Sequence, residues 1–520
     1  MITWDNTHQL NWSPQDVIHA YVDCTEVYEI LLIELTSDLN EYHSIGWTAS
    51  HYRKLLGNWL LTFVQISYDR WLGCRPLPRN NTVTRSYIAV DHLDYIKTYQ
   101  RSDEANRCYY QQLAEIRYQS HSPSLALPSR IDCVPGFDIT GDAKRPISIH
   151  GPYHSYGHFG WRHMFPRKSF PRELDRWASP ITVHPRPVTA VLVDEAWRLG
   201  TLGNHSTSFF DACRQFVRVH LPLVFLEGFS SIKQSMESVH VDSLFTSIST
   251  DFNIAIKYLA AMSHEKSPVF IHQHGGNYGI DKFCQIEDYD RSISDRFYTW
   301  GWKEDETTRP LPTPPRIQSW RISPSTRILL ICGNDSRYLT RLGCYEIGAQ
   351  VRILIDRTIK LVQQLKHLDL EISHYPVDFG WNMRKQFADA GALIPDKSMR
   401  SEYYGLHIIN YLGAAWLESI SANIPTICVI DTGRTLFRDS FTPYAEELFQ
   451  AGILHDSVDS ATAKVFEVSE NPLGWWSSDA IQDIRDRFVQ EYARMEDTWL
   501  DSWVNEFSHV TSAINKGQLP

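Results

Sequence analysis

The chain has 520 residues, 43% of them apolar and 21% charged, which is the make-up of a globular protein with more than one domain. Its formal net charge of −11 argues against a dedicated nucleic-acid binder, which would carry a basic face. The nine cysteines include no C-x-x-C pair, so neither a zinc ribbon nor a disulfide framework is expected. Met1-Ile2-Thr3-Trp4-Asp5 has no basic or apolar leader pattern. No apolar run approaches the roughly 20 residues that span a bilayer. A cytoplasmic location is expected, with any membrane contact peripheral, at the inner face.

Apolar periodicity predicts helices over 13–38, 49–71 and 103–116. The stretch 123–187 is rich in Pro, Gly, His and aromatics and shows no period, which suggests an insertion or a functional loop. Within it, His150, His154, His158 and His163 have a spacing that could bind zinc on a helix. Gly151, Pro152, Gly157 and Gly160 would break that helix, so an acceptor-binding or mobile loop is expected instead. Strands are predicted over 188–194, 222–227, 238–246 and 267–272.

Prolines 310, 312, 314 and 315 read as a stiff linker and set the main domain boundary. Beyond it, strands ending in turns over 327–333 and 370–376, a short strand over 392–394 and a strand over 424–430 alternate with helices over 355–368 and 411–420, the pattern of a parallel α/β sheet. The chain from 477 to 514 reads as helical.

The most informative stretch is His272-Gln273-His274-Gly275-Gly276-Asn277-Tyr278-Gly279, which follows the buried strand Pro268-Val269-Phe270-Ile271. A glycine-rich loop at the carboxyl end of a parallel strand is where open α/β sheets bind ligands. Gly275 and Gly276 let backbone approach a ligand, and His272 and His274 can bond a phosphate or carboxylate or move a proton. The plainer alternative is a tight turn with two solvated histidines. A metal site is a weaker one, since two imidazoles leave zinc short of ligands. Asp288-Tyr289-Asp290 is the only D-x-D. It lies in a charged helical stretch, where it reads as chance. A carboxylate placed at the end of an apolar strand can serve as a general base or a nucleophile. Asp251, between an apolar strand and a helix, is one candidate, although it could equally cap that helix. Glu227, at the end of the predicted strand 221–226, is the other.

Several segments together carry a family resemblance. They are Gly57-Asn58-Trp59-Leu60 with Tyr68-Asp69-Arg70, Leu226-Glu227-Gly228-Phe229, the Gln-His-Gly-Gly loop, Thr299-Trp300-Gly301-Trp302, Tyr375 to Trp381, and Trp416-Leu417-Glu418-Ser419. In this order they resemble a family of transferases from bacterial O-antigen and surface-polysaccharide gene clusters. That family is similar in turn to capsule-type Kdo transferases and other GT-B glycosyltransferases using CMP-sugars. The resemblance implies that Glu418 grips the ribose hydroxyls, with Ser419 beside it. It implies a phosphate at the helix start near Gly413. It also places Tyr375 and Asp378 in a nucleotide-facing loop, where the alternative is a β-turn.

The expectation is therefore an α/β, GT-B-like chain of two Rossmann-like domains around a cleft, with C-terminal helices. Residues 1–315 would form the acceptor-side domain, 316–490 the nucleotide-binding domain, and 491–520 a helix packing back. The expected activity is metal-independent transfer of an acidic sugar, Kdo-like or a nonulosonic acid, from a CMP donor to a surface glycan or lipid-linked glycan. No cofactor is expected beyond that donor. The alternatives are a UDP- or GDP-sugar transferase, a CDP-polyol phosphotransferase, a non-catalytic glycan-binding or scaffold protein, and a metallohydrolase built on the histidines.

Overall fold

The computed structural model describes residues 10–76, 84–118, 123–141, 145–150, 172–203, 205–313, 322–394 and 403–518. His154, His158, His163 and prolines 314 and 315 lie outside these residues. The chain is mixed α/β and forms two compact units. The first lies within 1–150, 179–269 and 338–342, and the second within 151–178, 270–337 and 343–520.

The first unit is built around the helix Ala49–Gly73, which is buried on nearly all sides. The helices Pro14–His43 and Ile254–Met262 pack against it. Ser13 begins the helix Pro14–His43 with a capping box, with Pro14 in the first turn where its missing N–H costs nothing. A helix surrounded by protein must satisfy its polar side chains internally. Arg70 does so completely: it donates to Asp69 Oδ2 at 2.7 Å, to the Leu339 carbonyl at 2.6 Å and to Asn106 Oδ1 at 2.7 and 3.1 Å. Its guanidinium also faces the rings of Tyr110 and Tyr338.

The stretch expected to be irregular is an excursion between two antiparallel ladders. Arg130–Cys133 pairs with Thr189–Leu192, and Phe137–Thr140 pairs with Thr182–Pro185. The strand Ile147–His150 runs parallel to Leu244–Thr246, the only part of 238–246 that is a strand. The predicted strand 222–227 is instead a 3-10 turn, Leu223–Phe225. Pro222 leads into it, and the amides of Leu226 and Gly228 both return to the Leu223 carbonyl. A short buried apolar run has no periodicity to separate these outcomes.

In the second unit, Val269–His272, Arg296–Thr299 and Thr308–Pro310 lie side by side and parallel. Part of the expected linker is thus an edge strand, with Pro310 at its last position, where a missing donor is tolerated. A five-stranded parallel sheet follows, in the order Leu370–Ser373, Ile328–Ile331, Leu406–Ile409, Thr426–Val429, Leu454–His455. Leu393, expected in a short strand, makes a single bridge to Glu371.

Residues 270–337 belong to the second unit. The reason is hydrogen bonding. Lys282 N–H donates to the Leu436 carbonyl, Arg438 N–H to Ile280, Arg494 N–H to Trp300 and Thr313 N–H to Arg494, tying 270–313 to the C-terminal part of the chain. The expected C-terminal helical stretch is two helices, Asp479–Tyr492 and Trp499–Asn515.

Removing the Arg70 side chain leaves the buried Asp69 carboxylate without its cation and takes both guanidinium donors from Asn106 Oδ1. Arg70→Ala is expected to cost about 3–5 kcal/mol in urea unfolding, the range for breaking a buried pair. Arg70→Lys should recover only part of this, since it restores charge without the planar fork.

Candidate active site

Four strand ends and one glycine loop build the site of the second unit. In the five-stranded sheet, the chain passes from Ile328–Ile331 to one neighbour, Leu370–Ser373, and then crosses to the other, Leu406–Ile409. Such a reversal opens a crevice at the carboxyl ends of the two strands concerned. Gly333 lies in the loop after one strand, and Asn410, Tyr411 and Gly413 lie after the other. Asn410 ties the loops together: its Oδ1 accepts from Gly333 N–H at 2.7 Å and its Nδ2 donates to Thr358 Oγ1 at 2.8 Å. The Tyr411 ring fills the space a side chain would need at Gly333 or Gly413.

Gly413 also starts the helix Ala414–Ser421 with an extended backbone, φ −160° and ψ −166°. The helix therefore begins three residues later than periodicity suggests. Its N-cap residue has no side chain to bond the first amides, so that end is suited to an anion.

The His272–Gly279 loop reaches this helix start. A Cβ on Gly276 would overlap the Gly413 carbonyl and sit 2.6 Å from Ala414 N. Gly276 is thus required for backbone to approach backbone, whereas the sequence suggested approach to a ligand. Gly275 is covered by the ring of Tyr278, 3.2 Å from where its Cβ would lie. Gly279 has φ +74° and presses on Trp302.

Gln273, 1% exposed, locks the loop. Its Oε1 accepts from Trp300 N–H at 3.0 Å and Trp302 Nε1 at 2.9 Å, and its Nε2 donates to the Gly275 carbonyl at 2.8 Å. Glu287 holds the far end, accepting Gly279 N–H at 2.8 Å while paired with Arg438 at 2.8 Å.

The two histidines of the loop part company. His272 is a core residue, its ring 5.4 Å from Trp503 and 6.4 Å from Trp300. His274 is partly exposed and lies 3.9 Å from the buried carboxylate of Asp290. The Tyr278 hydroxyl lies 3.3 Å from the His274 ring nitrogens and donates to Asp290 Oδ2 at 3.3 Å. An imidazole with a carboxylate behind it can accept a proton and hold the resulting charge.

The other candidates of this unit fall into two groups. Glu418 is half-buried one turn into the crevice helix, close enough to the half-buried Tyr375 and to Tyr411 that both act on the Tyr411 hydroxyl. Burial, then Glu418, then Tyr375 push that hydroxyl up. Ser419 faces inward: its hydroxyl donates to the Ala415 carbonyl and bonds His407 Nδ1, both at 2.9 Å. Asp378 caps the helix Met383–Asp389, accepting from Asn382 N–H at 2.9 Å and Met383 N–H at 3.0 Å, which is the turn alternative.

Asp251 and Glu227 belong to the first unit. Glu227 does not end a strand. Its oxygens accept from Asp194 N–H at 3.1 Å and from Arg198 Nε and Nη2, both at 2.7 Å. Arg198 in turn donates to the carbonyls of Arg218, Val219 and Leu221, closing the end of the helix Phe209–His220. Glu227 is a structural brace in this setting. Asp251 sits in the short helix Ser249–Phe252, fully buried, and accepts from Asn58 Nδ2 at 2.7 Å. The following helix is capped by Asn253, not by Asp251. Burial pushes the Asp251 carboxyl up to about 7, against the pull of Lys257, Asn58 and Arg341.

The sequence reading set Asp290 aside as part of a chance D-x-D, gave Gln273 and Asn410 no role of their own, and did not single out Glu287. Asp290 and Glu287 share one face of the helix Gln285–Ile293, three residues apart, and that spacing was the available signal.

The second unit thus carries a crevice at a sheet reversal, a glycine loop seated on a helix start and a histidine beside a buried carboxylate. The chain belongs to the LIC12162 family transferases, whose sequence profile matches residues 6–124 and 182–507. The unmatched interval, 125–181, includes Arg130–Cys133 and Phe137–Thr140, one strand of each ladder. A search of curated proteins gives no match. Among solved structures, MurG of Acinetobacter baumannii is 15% identical, with 56% of this chain and 77% of that one covered at a TM-score of 0.30. A trehalose 6-phosphate synthase of Burkholderia multivorans is 9% identical, with 66% and 86% covered at 0.33. CalG4, a calicheamicin glycosyltransferase, is 11% identical, with 56% and 80% covered at 0.30. At these scores the likenesses carry no argument about chemistry, which rests on the residues themselves.

Two outcomes are expected from this geometry. Gln273→Ala leaves the buried Trp300 N–H and Trp302 Nε1 without their acceptor and should cost at least ~2 kcal/mol in chemical denaturation. For Asp251, the folded state holds its proton up to about pH 7, whereas the unfolded chain releases it near the ordinary aspartate value of 3.8. Between these values the native state binds more protons, so this group makes stability fall as pH rises from about 4 to about 7. Unfolding free energies measured across that window should lose this falling limb in Asp251→Asn.

Proposed function

We propose that the chain is a glycosyltransferase of GT-B type that binds a nucleotide-activated sugar at the crevice of the second unit. The observation that carries this reading is the seating of the Gly276 backbone on Gly413 and Ala414, which puts the His274 loop beside the start of the crevice helix. In this reading the phosphate bridging nucleotide and sugar lies on the first amides of Ala414–Ser421, and the Glu418 carboxylate takes the ribose hydroxyls.

The acceptor hydroxyl gives its proton to a base as its oxygen bonds the anomeric carbon, and the bond from that carbon to the phosphate oxygen breaks, releasing the nucleotide. His274, with Asp290 and Tyr278 behind it, is the base in this unit, and Asp251 is the candidate carboxylate of the first. The donor proposed from the sequence resemblance is a CMP-linked acidic sugar, and the acceptor is a surface polysaccharide. No cofactor is invoked beyond the donor, and no nucleic acid. Among the described residues no helix is long and apolar enough to cross a membrane. Work at the inner face of the cytoplasmic membrane through partners belongs to the same proposal.

The test is a thermal-shift panel of CMP, CDP, UDP, GDP and ADP on the native chain and on Glu418→Ala. Ligands that bind the folded state raise its melting temperature by mass action. A shift with CMP, lost in Glu418→Ala, is expected. A shift with UDP or GDP alone replaces the donor, and no shift with any nucleotide overturns the reading. With a donor in hand, His274→Ala should lower kcat by 100-fold or more while leaving nucleotide binding in place.

A further inference from the structure

In the first unit, a cavity of about 670 Å³ opens between the helices Pro14–His43 and Phe209–His220, under the turn that carries Thr201, Gly203 and His205. Small-ligand sites have volumes of about 300–1,000 Å³. The cavity contains none of the residues assigned above to the transfer chemistry, and its construction says what it would hold.

Its floor is aliphatic, made by the buried Leu31, Leu35 and Val217. Its walls are charged but internally matched. Glu34 pairs with Arg214 at 2.9 Å, and Asp38 pairs with Arg218 at 2.8 Å. The guanidiniums are further fixed over aromatic rings, Arg218 4.6 Å from the Trp197 centroid and Arg214 5.5 Å from that of Phe210. Asp211 adds a third carboxylate, so the wall carries more negative than positive charge.

The rim is held in shape before any ligand arrives. Gln215 Oε1 accepts Gly203 N–H at 2.9 Å, the Gln215 carbonyl accepts Thr201 Oγ1 at 3.1 Å, and His205 Nδ1 bonds the Ile116 carbonyl at 3.0 Å. Beneath it, the Arg198–Glu227 pair fixes the carbonyls of Arg218, Val219 and Leu221.

These features select a ligand class. An anion would meet a wall whose cations are already matched and whose carboxylates are in excess. An apolar ligand would strip water from the polar walls without replacing its hydrogen bonds. A neutral saccharide satisfies both demands. Its adjacent hydroxyls can bond a carboxylate and its paired guanidinium together, while its C–H face covers the leucines.

We propose that this cavity is a docking subsite for a neutral saccharide stretch. The word acceptor applies to that stretch only if the glycosyltransferase reading holds. Binding itself is a separate property of the first unit.

Saturation-transfer NMR on the full chain tests it, with maltotetraose, cellotetraose and chitotetraose as neutral probes and tetragalacturonate as the acidic one. The variants are Arg214→Ala and Asp38→Ala, whose side chains are 52% and 29% exposed, so that folding can be checked by an unchanged melting temperature. Transfer to at least one neutral tetrasaccharide, reduced fivefold or more in both folded variants, is the expected result. No transfer to any neutral probe, transfer unchanged in the variants, or stronger transfer to tetragalacturonate overturns the proposal. Should the nucleotide panel be negative while Arg214-dependent saccharide binding persists, the transferase chemistry falls and the subsite stands.

Discussion

The second unit depends on one close approach of backbone to backbone. Gly276 can rest on Gly413 and Ala414 only because it has no side chain, and Gly413 can turn beside Tyr411 for the same reason. A methyl group on Gly276 would push the histidine loop away from the helix start, and one on Gly413 would collide with the Tyr411 ring. Two elements more than a hundred residues apart thus meet at atomic contact, and every chemical role assigned in this unit follows from that meeting. His274 is placed by it, and so is the free end of Ala414–Ser421.

Around this contact the structure commits its buried polar groups to holding the loop still. Gln273 bonds Trp300, Trp302 and Gly275, and Glu287 bonds Gly279, Arg291 and Arg438. The indole of Trp302 links the two ends, since it bonds Gln273, presses on Gly279 and lies under the Arg438 guanidinium at 5.5 Å. A buried polar group left unpaired costs more than its bond returns, so each of these side chains resists replacement. The loop therefore presents His274 from a rigid base, which is what a positioned proton acceptor needs.

The first unit follows the same rule with charges. Arg70 on the central helix and Arg198 beside Glu227 are both fully enclosed, and both end on backbone carbonyls as well as a carboxylate. This is why Glu227, attractive as a lone acidic residue after an apolar run, is a brace. Asp251 differs. It accepts from the neutral amide of Asn58, and burial pushes its carboxyl up to about 7.

The long amphipathic helices, the alternating strands and helices after residue 322, and the glycine loop after Val269–His272 were legible in the sequence, because periodicity and glycine placement are local properties. The excursion between 123 and 187 was legible as an interruption, though its antiparallel ladders were not. What the sequence could not decide was pairing. Whether Leu223–Phe225 became a strand or a turn depended on which carbonyl its amides could reach. Whether His272 or His274 faced open space depended on where the strand stopped and on Trp503 arriving from the other end of the chain. Asp290 acquired meaning only when Tyr278 and His274 came within reach of it. Sequence alone determined which backbone could bend and which faces must be buried. The tertiary structure decided which distant polar groups met, because a buried charge or amide takes its role from the partner that replaces water.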